Sequence, residues 1–230
     1  MAGYLGVMLL VAHRPDLTVS GCVDLAAAGA RLFELEVRVS HGRLVVSHFL
    51  QVLGRRGWLE NDNWSFRWSS RSRDPTVADV VGLVPGGCEI LLDLKENEPA
   101  RRFDLNQKIC AELVDRTRYR VSGGNSHDLD QLRAAGFRTW RSIGRRRDLD
   151  EVLAAAPGSD EAVSVRQILL DGRSIGLLHA VVPMVVAWTV NDVDRARELQ
   201  AIGVDGVTTD SVNVMVALAG GSPGWRARTW

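Results

Sequence analysis

A chain of 230 residues with 46% hydrophobic and 24% charged residues can bury a sizeable core, as one large barrel or as two small domains. Its 28 basic residues balance 28 acidic ones, so there is no electrostatic case for a nucleic-acid or anionic-membrane partner. Three cysteines (Cys22, Cys88 and Cys110) are odd in number and lack metal-type spacing, which reads as a reduced, cytoplasmic thiol set.

The first apolar run, Leu5 to Ala12, is too short to span a membrane and lacks the flanks of a signal peptide. It reads as a buried strand from Gly6 to Ala12 that ends at His13-Arg14. A helix from about Thr18 to Ala28 follows, closed by Gly29. The second strand, Leu32 to Val37, turns at His41-Gly42 and returns through Leu44 to Ser47 to reach His48. Pro75-Thr76 opens a short helix to Val84, and the third strand, Glu89 to Leu94, delivers Asp93 and Lys95. The remaining pattern predicts a helix over about Asn106 to Arg116, a strand over Tyr119 to Ser122 and a helix over Asp128 to Ala135. Next come a strand over Phe137 to Ser142, a helix over Leu149 to Ala155 and a strand over Ala162 to Val165. A helix from Ile168 to Val181, a strand from Met184 to Thr189 and a helix from Val193 to Ala201 follow. The last strand, Gly206 to Thr208, feeds Asp210 and a final helix to Leu218.

Eight strands, each followed by a helical pattern, with Gly or Pro at most joins, predict a single (β/α)8 TIM barrel over residues 1–230. An open doubly wound sheet would call for fewer strands and a glycine-rich phosphate loop, and the sequence has no such loop. Residues 51–74 read as one long irregular insertion that holds Trp58, Trp64, Phe66 and Trp68. A lid over the barrel mouth that recognises an apolar part of a substrate is one expectation for it. Aromatic packing on the barrel rim is the other.

Side chains at the C-terminal strand ends of a barrel converge on one mouth. Here those ends carry His13 and Arg14, Glu34 and Glu36, His48, Asp93 and Lys95, Ser122, Trp188 and Asp210. Strand alternation points Glu34 and Glu36 the same way, about 7 Å apart. With strands about 4.8 Å apart, Asp93 can reach the same point. Inward carboxylates need a counter-charge, and three hard oxygen ligands suit Mg²⁺, with Ca²⁺ possible. His41, His127 and His179 have no converging partners, and Arg55-Arg56 and Arg145 to Arg147 read as solvated charge.

These residues carry a resemblance. HR after the first strand, E-x-E on the second, VVSH, DLK, AWTVND and GVDGVTTD together are similar to the glycerophosphodiester phosphodiesterase family, from Val11 to Asp210. The resemblance implies a (β/α)8 barrel with a divalent metal held by Glu34, Glu36 and Asp93, and His13 and His48 as acid and base. It also implies phosphate contacts from Arg14 and Lys95, with Trp188 lining the mouth. The chain departs from the family pattern after HR, where it runs Pro15-Asp16-Leu17-Thr18, and after His48, where it has Phe49. Asp93-Leu94-Lys95 is similar instead to the sphingomyelinase D branch of the same superfamily, whose members expel an alcohol and leave a cyclic phosphate.

The expected function is therefore a Mg²⁺-dependent phosphodiesterase acting on a small-molecule or lipid-like phosphoester, with no nucleic-acid partner and no transmembrane segment. A non-hydrolytic lyase or cyclase on a lipid phosphodiester or prenyl diphosphate is an alternative, with Trp64 and Trp68 holding the apolar portion. A non-catalytic descendant that binds a phosphate ligand is a second.

Overall fold

The computed structural model describes residues 8–13, 18–47, 50–52, 55–60, 63–68, 74–96, 98–154 and 160–219, with 50–52, 55–60 and 63–68 followed as backbone. The strands are β1 (Leu9–His13), β2 (Leu32–Ser40), β3 (Arg43–Val46), β4 (Leu50–Val52), β5 (Arg55–Glu60), β6 (Asn63–Trp68), β7 (Glu89–Leu94), β8 (Tyr119–Gly123), β9 (Arg138–Ile143), β10 (Ala162–Arg166), β11 (Val185–Trp188) and β12 (Gly206–Thr209). The helices are α1 (Val19–Ala27), α2 (Val77–Val81), α3 (Pro99–Glu112), α4 (Ser126–Ala134), α5 (Arg146–Ala154), α6 (Gly172–His179), α7 (Val193–Ala201) and α8 (Val212–Leu218). Parallel pairing runs β1-β2-β7-β8-β9-β10-β11-β12 and returns from β12 to β1. The sheet is thus a closed eight-stranded TIM barrel with eight surrounding helices, as the alternation of strands and helices predicts.

Strand alternation sorts every barrel residue into a bore-facing or a helix-facing set. Leu10 and Ala12 of β1 and Phe33, Leu35 and Val37 of β2 join the large buried cluster under the helices. Their neighbours Val11 and Leu32 join a smaller cluster with Leu91, Trp140, Ala162 and Val186, which fills the bore. Gly206 lies where β1 and β12 close the barrel. A Cβ there would sit 2.8 Å from the Leu9 carbonyl oxygen, so only glycine permits that approach. The hairpin from β2 to β3 turns at His41-Gly42 with positive φ at both residues (49° and 69°), which matches a two-residue turn between strands of right-handed twist.

Polar side chains set the helix starts. Thr18, Thr76, Asn125, Asp171, Asp192 and Ser211 each cap a helix by accepting a backbone N–H. Helix α3 departs from the expectation, beginning at Pro99 and ending at Glu112 rather than covering Asn106 to Arg116. Proline fits the first helical position because the N–H it lacks would have no partner there. The segment after β10 is split, with a 3-10 turn at Gln167–Leu169 before α6.

Residues 51–74 are corrected in kind. They are not one irregular loop, because β4, β5 and β6 form a separate three-stranded antiparallel sheet. Trp64, Phe66 and Trp68 occupy alternate positions of β6, the period-2 pattern of a strand, with Leu59 opposite Trp64 and Gly57 opposite Phe66.

At the N-terminal end of the bore, charge replaces apolar packing. Arg120 pairs with both Glu89 and Glu161, and Arg138 donates to Glu89 at 2.8 Å. The Trp140 indole N–H donates to Glu161 Oε2 at 3.0 Å. Burial alone would raise the Glu161 carboxyl, but hydrogen bonds from Arg120 and Trp140 outweigh it and hold the group below its ordinary value. A depressed folded-state pKa stabilises the fold above the unfolded value and loses that contribution as pH falls through the folded one. Glu161→Gln is therefore expected to cost about 1–2 kcal/mol at neutral pH, reduced by partial exposure, with the deficit closing in acid below about pH 4. Thermal melts of both proteins across that range check it; a deficit independent of pH would contradict it.

Candidate functional site

The opposite end of the bore collects the chemistry. His13 ends β1 and is in register with Glu34 of β2, Glu36 is in register with Asp93 of β7, and Asp93 with Ser122 of β8. All share the bore-facing parity of Val11, Leu32 and Leu91, so strand register alone gathers them at one mouth. The inward hydroxyls of Ser122, Ser164 and Thr208 are buried on β8, β10 and β12.

Barrel closure supplies a contact that spans most of the chain. His13 Nδ1 lies 2.8 Å from Asp210 Oδ1, and the His13 side chain is 10% exposed. The carboxylate is itself oriented: Asn191 Nδ2 donates to Asp210 Oδ2 at 2.9 Å. Asn191 Oδ1 accepts from the Asp210 backbone N–H at 2.9 Å and from the Thr209 hydroxyl at 3.0 Å. With Nδ1–H donating to Asp210, Nε2 is the nitrogen that carries the lone pair in the neutral ring. Asp210 stands among the strand-end residues of the sequence, but its pairing with His13 is legible only once β12 is known to neighbour β1.

The carboxylates crowd around one cation. The Lys95 ammonium pairs with Asp93 and lies 3.3 Å from Glu36 Oε1, while Ser122 donates to Asp93 Oδ1 at 2.7 Å. Burial works against the charge on Lys95, but Asp93 and Glu36 outweigh it and hold its pKa well above the ordinary lysine value. Glu34 shows the opposite balance. Burial first, then the Asp93 charge, push its carboxyl up to about 7, with His13 and Lys95 only partly offsetting them. Among the described residues three acids face one lysine, and hard oxygen donors of this kind fit a divalent cation such as Mg²⁺. As placed, no three acidic, histidine or cysteine side chains among the described residues form a ready metal cluster, and Lys95 spans two of the expected ligands.

Trp188 stands at the end of β11, partly exposed, with its indole N–H donating to the Ser164 carbonyl at 3.0 Å. Arg14, His48, Pro15, Asp16, Leu17 and Phe49 lie outside the described residues, and Trp64 and Trp68 are described only as backbone of β6. The remaining histidines have local roles: His127 bonds Gln131 at 3.0 Å, and His179 Nε2 bonds the Gly203 carbonyl at 3.0 Å. Arg146 and Arg147 make exposed ion pairs one turn along α5 with Asp150 and Glu151.

The model of the glycerophosphoryl diester phosphodiesterase family matches residues 59–214, more than half of the chain and a span that holds Asp93, Lys95, Trp188 and Asp210. The chain belongs to that family. No curated protein matches the sequence. Among solved structures, one from Silicibacter pomeroyi described as a glycerophosphoryl diester phosphodiesterase superposes with a TM-score of 0.73 at 18% identity, covering 94% of each chain. An Oleispira antarctica phosphodiesterase in complex with the product sn-glycerol-3-phosphate gives 0.69 at 18% identity, covering 92% of this chain and 97% of that one. The glycerophosphodiester phosphodiesterase of Thermotoga maritima gives 0.64 at 20% identity, covering 94% of this chain and all of its own. At such identities these structures establish the shared barrel. No helix among the described residues is long and apolar enough to cross a membrane.

The pairing of His13 with Asp210 has a direct spectroscopic consequence in this family member. Imidazole nitrogen NMR of the native protein at neutral pH is expected to show His13 protonated at Nδ1. Asp210→Ala should move the ring toward the Nε2–H tautomer while the barrel stays folded. An unchanged tautomer in the variant would contradict the pairing.

Proposed function

We propose that the chain is a Mg²⁺-dependent phosphodiesterase that cleaves a small-molecule or lipid-like phosphodiester by paired histidine acid–base catalysis. The observation that carries this reading is the mouth itself, where Lys95 is flanked by the inward carboxylates Glu36 and Asp93, one strand from His13 held by Asp210. Membership of the phosphodiesterase family supports it.

In this reading Glu34, Glu36 and Asp93 hold Mg²⁺ or Ca²⁺, with Lys95 yielding its place between two of them to contact phosphate together with Arg14. When bound, the metal supplies charge neutralisation at phosphate and acidifies a coordinated hydroxyl. Lys95 adds a fixed positive charge where negative charge develops at phosphorus. His13 moves a proton at Nε2, its ring held by Asp210, and His48 is its counterpart. Trp188 lines the mouth, and Trp64 and Trp68 recognise the apolar portion of the substrate.

A second reading keeps the same residues and changes the outcome. The Asp93-Leu94-Lys95 run favours a lyase in which a hydroxyl of the substrate attacks phosphorus, the alcohol leaves with the proton, and a cyclic phosphate remains, as in the sphingomyelinase D branch. The sn-glycerol-3-phosphate bound by the Oleispira antarctica relative as product favours hydrolysis. Buried hydroxyls at Ser122, Ser164 and Thr208 favour a polar phosphoester over a prenyl diphosphate cyclase substrate.

Phosphorus NMR on a panel of glycerophosphodiesters, lysophospholipids and prenyl diphosphates separates phosphomonoester, cyclic phosphate and free diphosphate as products. Turnover is expected to vanish in chelator and to return with Mg²⁺, and His13→Ala and His48→Ala should each lose about 10²-fold or more. Full turnover in chelator, or near-full rates in both histidine variants, would overturn the reading. Replacing Trp64 and Trp68 by Ala should weaken substrates with a long apolar group by about 1–3 kcal/mol per side chain, with much smaller losses for glycerol-headed ones. Equal losses for both kinds would assign the two tryptophans to packing.

A further inference from the structure

A second cavity, of about 280 Å³, lies outside the bore, between the C-terminal ends of β7 and β8 and the helices α3 and α4. Strand parity separates it from the mouth: Asp93 and Lys95 face the bore, while Leu94 and Glu96 face this cavity. The Glu96 side chain is only 5% exposed, and its nearest cation, Arg38 Nη1, is 3.9 Å away, beyond hydrogen-bonding reach. Among the described residues no hydrogen bond reaches the Glu96 carboxylate. A buried carboxylate left in this state is costly unless something charged completes it.

A second acceptor on the same wall has the same need. Asn106 of α3 is 4% exposed, and its Nδ2 donates to Asp128 Oδ1 at 3.4 Å and to Gln131 Oε1 at 3.2 Å. Because a carboxylate only accepts, the contact with Asp128 fixes which end of the amide is the donor. Asn106 Oδ1 is therefore an acceptor, and it is buried without a partner. The cation that lines the cavity, Arg102, is already engaged by Asp128, with Nε 2.9 Å from Oδ2.

The cavity thus offers one buried carboxylate that only a long ion pair with Arg38 reaches and one orphan acceptor, with Leu94 and Leu105 beside them. Three oxygens on two side chains are too few for a dedicated Ca²⁺ or Mg²⁺ cage, which uses six or more ligands, and the space exceeds what a bare ion fills. A primary ammonium brings charge and three donors on a short apolar stem that the leucines can cover. From these groups we infer that the cavity is a binding site for a small alkylammonium ion, held by Glu96 and Asn106 and separate from the catalytic mouth.

The test is titration of the full-length protein with n-butylammonium chloride, followed by backbone amide NMR, with 1-butanol as the neutral comparison. Saturable shifts at Gly123, Gly124 and Asn125, the amides around the cavity, are expected with the ammonium and not with the alcohol. Glu96→Gln should weaken the binding at least about tenfold, or 1.4 kcal/mol, while the protein keeps its melting temperature within a few degrees. Asn106→Leu, an independent variant, should weaken it as well. No saturable shift at these amides, equal binding of the alcohol, or unchanged affinity in Glu96→Gln would each overturn the site. The readout is binding alone, so it stands or falls apart from the phosphodiesterase reading.

Discussion

The hydrogen bonds that close β1 against both β12 and β2 govern the whole molecule. Once the sheet is a cylinder, alternation leaves no half-exposed face: each strand residue is either in the bore or under a helix. The apolar set Leu10, Ala12, Phe33, Leu35 and Val37 goes outward against the helices, so the intervening acids at 34 and 36 are forced inward. The mouth chemistry follows from the same register that packs the core. A one-residue slip in β2 would exchange the two sets completely.

Along the bore, charge occurs at two levels separated by the apolar layer of Val11, Leu32, Leu91, Trp140, Ala162 and Val186. The lower level is balanced, with Arg120 and Arg138 facing Glu89 and Glu161, and a tryptophan donor satisfying a remaining lone pair. Among the described residues the upper level is not. Glu34, Glu36 and Asp93 face Lys95 and His13, and burial, then the Asp93 charge, push the Glu34 carboxyl up to about 7. Balanced burial is how a fold carries ions for structure, and unbalanced burial is how a site stays ready for a ligand. The contrast within one bore separates plug from mouth without reference to any relative.

Most of this was legible in the residues because barrel strands are short, buried and punctuated. β7 and α7 match their expected bounds, and the His41-Gly42 turn falls where it was read. The inward acids and Lys95 were legible for the same reason, since parity and strand order are local properties. Three features were not. The start of α3 at Pro99 was hidden because proline signals both a break and a first helical turn. The sheet of β4, β5 and β6 was hidden because three aromatics in a six-residue strand have the same composition as an aromatic-rich loop, and only strand pairing reveals the period. The pair His13 and Asp210 was hidden because 197 residues separate them, and only closure of the barrel makes them neighbours.

That last separation has a consequence for how the protein comes into being. One partner of the His13–Asp210 pair lies on the first strand and the other directly after the last, so this contact cannot form until β12 has been made and docked. During synthesis the chain passes through every stage of a growing parallel sheet, exposing Glu34, Glu36 and Asp93 on an open edge with the lysine already present and the Asp210 contact still to come. The His13–Asp210 contact thus arrives at the final step of assembly, and a chain terminated before β12 lacks it however much of the barrel it has built.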